Sequence, residues 1–227
     1  MKAEPLDFEI LPLGEDCAVI SLGNVISEDV NRRAVSIAEA VNSFGFEALI
    51  EAAPAYSSVA VYYDPRKARS GVMTPFQIVR TLLKQIVPAA VTSATAEERV
   101  HTVPATFGGE HGPDLKEVAD RRGLSADEVV EIFLSRNYRV FMLGFLPGFP
   151  YLGTLDQRIA TSRRSTPRTL VPAGSIGIAG SQTGIYPFDS PGGWQLIGRT
   201  DVIVFDPGSE EPAMFRPGDS VRFTEAP

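Results

Sequence analysis

The sequence predicts an α+β protein with a small N-terminal two-layer domain of strands and helices, followed by a domain that consists mainly of β-strands. Three observations predict this division. Residues 1–90 alternate strand-like and helix-like segments, with two pairs of strands and two helices. Residues 99–227 contain short β-forming runs separated by Gly and Pro, which is typical of a barrel or sandwich. The small, polar stretch 91–98 is predicted to be a linker.

The N-terminal domain is predicted to begin with a β-hairpin. Residues 8–13 and 17–22 alternate in the manner of strands and are joined at Gly14, a residue that tolerates the backbone of a tight turn. Residues 48–52 and 59–63 are predicted to form a second pair of strands. With one helix after each pair, the order is ββαββα, a two-layer arrangement.

Both helices carry start and stop signals. Ser27 is a predicted N-cap, acidic residues follow it, and Gly45 is expected to end the first helix. Thr74 and Pro75 are expected to open the second helix, which is predicted to end before Pro88. Its predicted apolar face consists of Ile78, Leu82, Leu83 and Ile86.

The second domain is predicted to begin with a strand at 100–106 and to continue through two short helices. The first covers residues 114–122. The second is capped by Ser125, with Glu128 three residues later, which is the spacing of a capping box. From Tyr138 onward, only short strands and Gly/Pro turns are predicted.

Composition excludes several classes of function. A formal net charge of −7 argues against sequence-independent binding of nucleic acid, which requires a basic surface. The sequence has no apolar run of membrane length and no leader, and its single cysteine cannot form an internal disulfide. We therefore expect a cytoplasmic protein that does not bind membranes. The lone Cys17 is expected to be a buried core residue.

Several common catalytic sites are also disfavoured. The sequence contains no Walker-type phosphate loop. Its two histidines, His101 and His111, lie far upstream of the Gly-rich segments, and with one cysteine they make a poor set of metal ligands. No metal site is therefore predicted in this chain.

A cluster of arginines is the first candidate site. Four of them fall within eleven positions: Arg158, Arg163, Arg164 and Arg168. Guanidinium groups bind carboxylate or phosphate in a bidentate manner, and the nearby turn at Gly174 and Ser175 could add backbone donors. One interpretation is an anion-binding site; the other is a solvated loop that pairs with acidic residues elsewhere in the fold or on a partner chain.

A second candidate site consists of polar groups among aromatic residues: Gln182, Thr183, Tyr186, Trp194 and Arg199. Such residues orient a ligand in a mostly apolar pocket, or they pack in a core with their polar atoms bonded to turns. Both interpretations remain open. For Trp194, which follows Pro191-Gly192-Gly193, we favour a pocket or interface.

The segment GFLPGFPYL (144–152) carries a third candidate, a partner interface formed by Phe145, Phe149 and Tyr151. Aromatic side chains in a turn-rich segment form either an exposed apolar knob for a second chain or a buried loop.

Several motifs together resemble the allophanate hydrolase subunit 1 family, which includes the B subunit of 5-oxoprolinase and the Kip-type inhibitors of sporulation histidine kinases. These motifs are GFLPGFPYLG (144–153), RRSTPR (163–168), VPAGSIGIAGSQTGIYP (171–187), SPGGWQLIGRT (190–200) and FRPGDSVRF (215–223). The resemblance implies that the second domain is a cyclophilin-like β-barrel.

The resemblance also implies a function, namely the B subunit of an ATP-dependent 5-oxoprolinase that opens 5-oxoproline, a small cyclic amide, to glutamate. It implies an allophanate hydrolase subunit 2-type sister subunit, the A subunit of the same enzyme, ATP as co-substrate and no activity of this chain alone. On this basis Arg163, Arg168 and Gln182 are candidate catalytic residues. The residues predicted to bind substrate or phosphate are Arg164, Gly174, Ser175, Thr183, Tyr186, Trp194 and Arg199.

Two other functions remain open. The alternative is a Kip-like protein that inhibits a sensor histidine kinase, in which the aromatic loops bind the kinase and the arginines need no small molecule. A third and weaker possibility is prolyl isomerase activity, which rests only on analogy of fold.

Overall fold

The protein divides into two compact units, Met1–Glu97 and Glu98–Pro227, and each has its own apolar core. The computed structural model describes residues 7–69, 71–92 and 99–227. Of the predicted linker 91–98, the first two residues form the end of a helix and the others lie outside the described residues. Helices and strands occur in both units, so the predicted α+β class is confirmed.

Four strands of the N-terminal unit form an antiparallel sheet. They are β1 (Glu9–Leu13), β2 (Cys17–Ser21), β3 (Leu49–Pro54) and β4 (Ser58–Tyr63). Among the described residues of this unit, the strand order is β1-β2-β4-β3. Gly14 has a φ of 70°, and Leu13 pairs with Cys17 across the turn, so the predicted hairpin is confirmed.

Two helices cover one face of this sheet, α1 (Glu28–Phe44) and α2 (Pro75–Thr92). The Ser27 hydroxyl accepts a hydrogen bond from the third helical amide of α1, and the helix ends at Gly45. At the start of α2, Thr74 and Gln77 exchange side-chain-to-backbone hydrogen bonds of 3.3 and 2.8 Å. The predicted starts of both helices are confirmed.

The predicted end of α2 is wrong, because the helix continues through Pro88 to Thr92. A proline inside a helix costs about 3 kcal/mol, since it removes one hydrogen bond and crowds the preceding turn. Pro88 lies on the exposed side, whereas Val87 and Ala90 are buried against the sheet and stabilise the extra turn. The buried face is also rotated from the predicted one and consists of Val79, Leu83, Ile86, Val87 and Ala90.

No helix among the described residues combines the length and the apolar character needed to cross a bilayer.

Seven strands close a barrel within residues 99–227, all of which the structure describes. They are β5 (Val100–Phe107), β6 (Asn137–Leu143), β7 (Pro150–Gly153), β9 (Ser175–Ala179), β10 (Gln182–Ile185), β12 (Gln195–Arg199) and β13 (Ser220–Glu225). Their order around the barrel is β10-β7-β6-β13-β5-β12-β9. The pair β5–β13 is parallel and the other pairs are antiparallel. A barrel, as predicted, is confirmed.

The remaining elements of this unit lie against the barrel. They are α3 (Leu115–Arg122), α4 (Ala126–Leu134), β8 (Arg168–Val171) and β11 (Ser190–Gly192), the last two forming a separate ribbon. The capping box predicted at Ser125 and Glu128 is present, with both reciprocal hydrogen bonds formed.

A buried carboxylate fixes the start of the β5–β13 pair. Asp219 accepts two hydrogen bonds from the Arg99 guanidinium, at 2.9 and 2.6 Å, and one of 2.8 Å from the Arg216 amide. Nε2 of His101 lies 3.0 Å from the same carboxylate. Burial alone raises the pKa of the Asp219 carboxyl, but these hydrogen bonds outweigh it, and the pKa lies below its ordinary value.

Candidate functional site

The arginine segment, defined here as residues 158–168, crosses the outside of the barrel and is held by backbone contacts. The Gly180 amide donates to the Thr161 carbonyl at 2.7 Å, and the Arg164 amide donates to the Gly193 carbonyl at 2.8 Å. Ile159 is fully buried and anchors the segment in the barrel core. Because backbone hydrogen bonds and the core both hold the segment, the path of its backbone is set by the fold.

Asp114 is the acidic partner of this segment. Its Oδ1 atom accepts hydrogen bonds from Arg164 Nη1 at 2.9 Å and from Arg168 Nη2 at 2.6 Å. Its Oδ2 atom accepts a 2.7 Å bond from the Leu196 amide. The Asp114 side chain is only 4% exposed, so it is a buried carboxylate that joins the start of α3, the arginine segment and β12.

The local sequence does not reveal the role of Asp114, because it predicts this residue only as the start of a helix. Asp114 does occupy the cap position of α3, but its side chain makes no capping bond and is directed to the two arginines instead. The arginine cluster itself indicates that an acidic partner must exist elsewhere in the chain. Only Asp156 opposes it locally in the sequence, so any buried arginine there would need a carboxylate from elsewhere.

Arg164 and Arg168 retain donor capacity beyond Asp114. Arg168 Nη1 and Arg164 Nε are shielded from solvent and have no hydrogen-bond partner within the described residues. Beside them, the fully buried Gln195 donates from Nε2 to the Ser162 carbonyl at 3.1 Å, while its Oε1 atom has no partner in the same part of the chain. The two arginine atoms are donors that an anion could use only if they were opened to solvent, whereas Gln195 Oε1 is an acceptor and would not bind an anion.

Arg163 and Arg158 differ in how their charges are matched. The Arg163 guanidinium lies 5.8 Å from the centre of the Trp194 ring, a cation–π contact, and among the described residues it forms no ion pair. Arg158 makes a bidentate contact with Asp156, and that hydrogen bonding holds the pKa of the carboxyl far below its usual range. Arg163 is therefore available to a ligand or a partner, whereas Arg158 is already paired.

An aromatic cluster lies next to the arginine segment, with Phe149 at its centre. The Phe149 ring makes edge-on contacts with Phe145, Tyr151, Tyr186 and Trp194, at centroid distances of 5.0 to 5.6 Å. Trp194 is 5% exposed, so most of its ring packs inside the protein. Burial raises the pKa of the Tyr186 phenol.

Phe145 is the exposed member of this cluster. Its side chain is 61% exposed, and its backbone has a φ of 70°, a conformation that non-glycine residues rarely adopt. Backbone hydrogen bonds at both ends close the loop: the Gly144 amide donates to the Phe149 carbonyl, and the Leu146 amide donates to Gly144. A fixed loop therefore presents an aromatic ring to solvent, while Phe149 is buried and Tyr151 is half-buried.

The remaining predicted residues are distributed along the barrel. Thr183 is fully buried and donates a 2.9 Å hydrogen bond to the Gly177 carbonyl, which ties β10 to β9. Gln182 is half-buried at the start of β10. Gly174, with a φ of 79°, and the buried Ser175 form the turn that leads into β9.

Arg199 is not part of the aromatic cluster. It lies at the last position of β12, four residues after Gln195, and lines a separate pocket together with Pro104 and Thr106. The structure thus brings together Arg163, Arg164, Arg168 and Trp194, and it places Arg199 elsewhere on the same barrel.

Comparison with known proteins supports the assignment drawn from the motifs. The family described as carboxyltransferase domain, subdomain C and D, matches residues 8–215. The chain is 40% identical to the B subunit of 5-oxoprolinase from Bacillus subtilis (strain 168) over 220 residues, which cover 95% of this chain and 92% of that protein. It is 36% identical to the corresponding 5-oxoprolinase chain of Haemophilus influenzae over 214 residues, covering 94% and 96% of the two chains.

A solved structure extends the comparison to the fold. The crystal structure of TTHA0988 matches 93% of this chain with a TM-score of 0.80 and 40% identity. This chain spans 40% of the length of that protein. The extent of these matches confirms the resemblance to the allophanate hydrolase subunit 1 family, and the chain belongs to the carboxyltransferase domain, subdomain C and D, family.

Proposed function

We propose that this chain is the B subunit of an ATP-dependent 5-oxoprolinase. The observation that carries the proposal is the 40% identity to such a protein over nearly the full length of both chains. The name of that relative describes one part of an assembly, which supports a function that depends on partners. The proposed partners are an allophanate hydrolase subunit 2-type sister subunit, together with the A subunit of the enzyme.

The reaction requires activation of a poor electrophile. Transfer of the γ-phosphoryl group of ATP to the lactam oxygen releases ADP and makes the ring carbonyl carbon reactive. Water adds to that carbon, the ring C–N bond breaks, and the nitrogen takes up a proton. A second water hydrolyses the resulting acyl phosphate, which gives glutamate and phosphate.

Residues of this chain would stabilise negative charge during phosphoryl transfer. Arg163 is the proposed donor to the phosphoryl group or to the substrate carboxylate, because it is exposed and forms no ion pair with an acidic residue among the described residues. Arg168 remains a predicted catalytic residue, and its Nη1 atom would have to be opened to solvent before it could contact the substrate. Asp114 would hold Arg164 and Arg168 in position without touching the substrate. Gln182 remains a predicted positioning group on β10.

The aromatic cluster is the proposed contact with the sister subunit. Phe145 is exposed on a closed loop, and exposed aromatic residues on rigid loops are common anchors of protein interfaces.

Reconstitution tests the proposal. We expect the chain, combined with the two proposed partners, to release ADP and form glutamate only when 5-oxoproline is present. The variant Arg163→Gln should lower this rate about tenfold to a hundredfold, because one charge-assisted interaction is worth ~1.5–3 kcal/mol. Arg158→Gln is the matched control, since Arg158 is already paired with Asp156, and it should retain most of the activity. Absence of 5-oxoproline-dependent ATP turnover in the complete mixture would refute the proposal.

A second experiment tests the interface. Phe145→Ala should weaken capture of the sister subunit in a pull-down, whereas Ile50→Ala, which removes an exposed apolar residue of the N-terminal unit, should leave it unchanged. Equal capture by both variants would contradict the proposed role of Phe145.

The Kip-like alternative draws on the same exposed ring, because a protein-binding surface needs no catalytic arginine. This alternative predicts that the purified chain inhibits a sensor histidine kinase and that Phe145→Ala abolishes the inhibition. It also predicts no 5-oxoproline-dependent ATP turnover when the same preparation is combined with the two proposed partner subunits.

A further inference from the structure

A pocket of about 320 Å³ lies at the end of β12, away from the aromatic cluster. Its walls include Pro104, Thr106, Val202, Ala226 and Pro227, and its charged side chains are Arg199 and Asp201. A volume of this size accommodates a small metabolite.

The Arg199 side chain is positioned by its surroundings but has no partner of its own. Within the described part of the chain, its guanidinium makes no hydrogen bond or ion pair, and its Nε atom is shielded from solvent. The stem passes over Gly174, where the Arg199 Cγ atom lies 3.5 Å from the position that a Cβ would occupy. The backbone of Arg199 pairs with Thr106 on one side and with Ser175 on the other. A half-buried arginine therefore lines the pocket, and among the described residues its guanidinium has no hydrogen-bond partner.

Asp201 supplies the opposite charge on the same wall. It follows Thr200, which is buried and fixed by three hydrogen bonds: its amide donates to Gly174, its hydroxyl donates to the Pro104 carbonyl, and the same hydroxyl accepts from the Val202 amide. Arg199 and Asp201 flank this anchored residue, and both line the pocket. Asp201 is exposed to solvent, and among the described residues it forms no ion pair within 4.0 Å with Arg199 or with another basic side chain.

This pair of unmatched charges discriminates between classes of ligand. A simple anion would be attracted to Arg199 but repelled by Asp201. A simple cation would be attracted to Asp201 but repelled by Arg199. A molecule that carries both a carboxylate and an ammonium group would complement both charges. We propose that this pocket binds a zwitterionic α-amino acid, with Arg199 contacting its carboxylate and Asp201 its ammonium group.

The inference has a consequence for selectivity, which rests on the proposed function. Glutamate carries a free ammonium group, whereas the nitrogen of 5-oxoproline is a neutral amide. The pocket would therefore bind the ring-opened product in preference to the lactam, at a place distinct from the arginine segment.

Calorimetric titration of the full chain, without ATP or the other proteins of the complex, tests the binding. L-Glutamate and L-alanine should bind saturably, while N-acetyl-L-glutamate and 5-oxoproline, which lack the ammonium group, should bind at least about tenfold more weakly. Arg199→Gln and the surface variant Asp201→Asn should each weaken L-glutamate binding by a similar factor. Arg222→Gln is the matched control, since Arg222 is an exposed arginine of β13 outside the pocket, and it should bind like the unaltered chain.

Three results would overturn the inference: no saturable binding of either amino acid at millimolar concentration, equal affinity for N-acetyl-L-glutamate, or binding that survives Arg199→Gln. Because the titration contains no ATP and measures no turnover, its outcome is independent of whether the reconstituted complex hydrolyses 5-oxoproline.

Discussion

Replacing Asp114 with asparagine tests the central contact of the candidate site. Asparagine has the same shape and can still accept the hydrogen bond from the Leu196 amide. It cannot carry the negative charge that faces Arg164 and Arg168. Arg168 would lose its counter-ion, and Arg164 would keep only the 3.9 Å ion pair with Glu117. We expect Asp114→Asn to destabilise the barrel unit and to loosen the arginine segment.

The magnitude follows from the geometry. Removing one partner from a buried ion pair costs about 3–5 kcal/mol. The Arg164 and Arg168 side chains are 31% and 23% exposed, so water partly compensates them, and the expected loss is about 2–4 kcal/mol. With a urea dependence of ~2 kcal/mol per molar, the middle of the usual range, the unfolding midpoint should fall by about 1–2 M.

Intrinsic fluorescence provides the assay. Trp194 is the single tryptophan of the sequence and lies in the barrel unit beside Arg163, so its emission reports on that unit alone. Asp120→Asn is the matched control, because Asp120 pairs with Lys116 on the exposed side of α3 and should change stability by less than about 0.5 kcal/mol. If Asp114→Asn unfolds at the same urea concentration as this control, the role assigned to Asp114 is wrong.

Other contacts lead to three further predictions. The pKa of the Asp219 carboxyl is lowered in the folded state, so its stabilising effect should be complete above about pH 5 and lost as pH falls through the folded pKa. The unfolding free energies of the unaltered chain and of Asp219→Asn should therefore become more similar below about pH 5. A difference that does not change with pH would contradict this prediction. Gly174→Ala should lower the free energy of unfolding in urea by about 1–3 kcal/mol more than Gly180→Ala does. Both positions have positive φ, but only at Gly174 would a Cβ overlap the Thr200 carbonyl oxygen. Equal losses of unfolding free energy would show that the backbone of the turn shifts to accommodate the Cβ. Burial raises the pKa of the Cys17 thiol, so a thiol reagent should label Cys17 only at the rate at which the N-terminal unit opens, and rapid labelling of the native protein would disprove the burial.

The sequence predicted those parts of the fold that depend on local chemistry. Ser27, Thr74 and Ser125 were identified as helix caps, because a cap involves only the first turn of its own helix. The hairpin at Gly14 was predictable for the same reason. The end of α2 was predicted wrongly at Pro88. The rule that a proline ends a helix considers only the local backbone, whereas the burial of neighbouring side chains against the sheet stabilises the helix beyond Pro88.

The candidate site was only partly predictable, because its contacts join distant segments. The arginine cluster was visible as a local concentration of charge, but its acidic partner, Asp114, lies 50 positions before Arg164. Arg199 was grouped with Trp194 because both belong to one motif. The extended geometry of β12 separates the two ends of that motif, and Arg199 lines a pocket with residues of β5 instead.

The place of β13 in the barrel has a consequence for biosynthesis. This last strand lies between β6 and β5, and the ion pair at its start joins Arg99 to Asp219 across 120 positions. A nascent chain on the ribosome therefore holds two unpaired strand edges until β13 has emerged. Closure must wait until residues 220–225 have been synthesised, and truncation before β13 should yield an aggregating species rather than a smaller folded one.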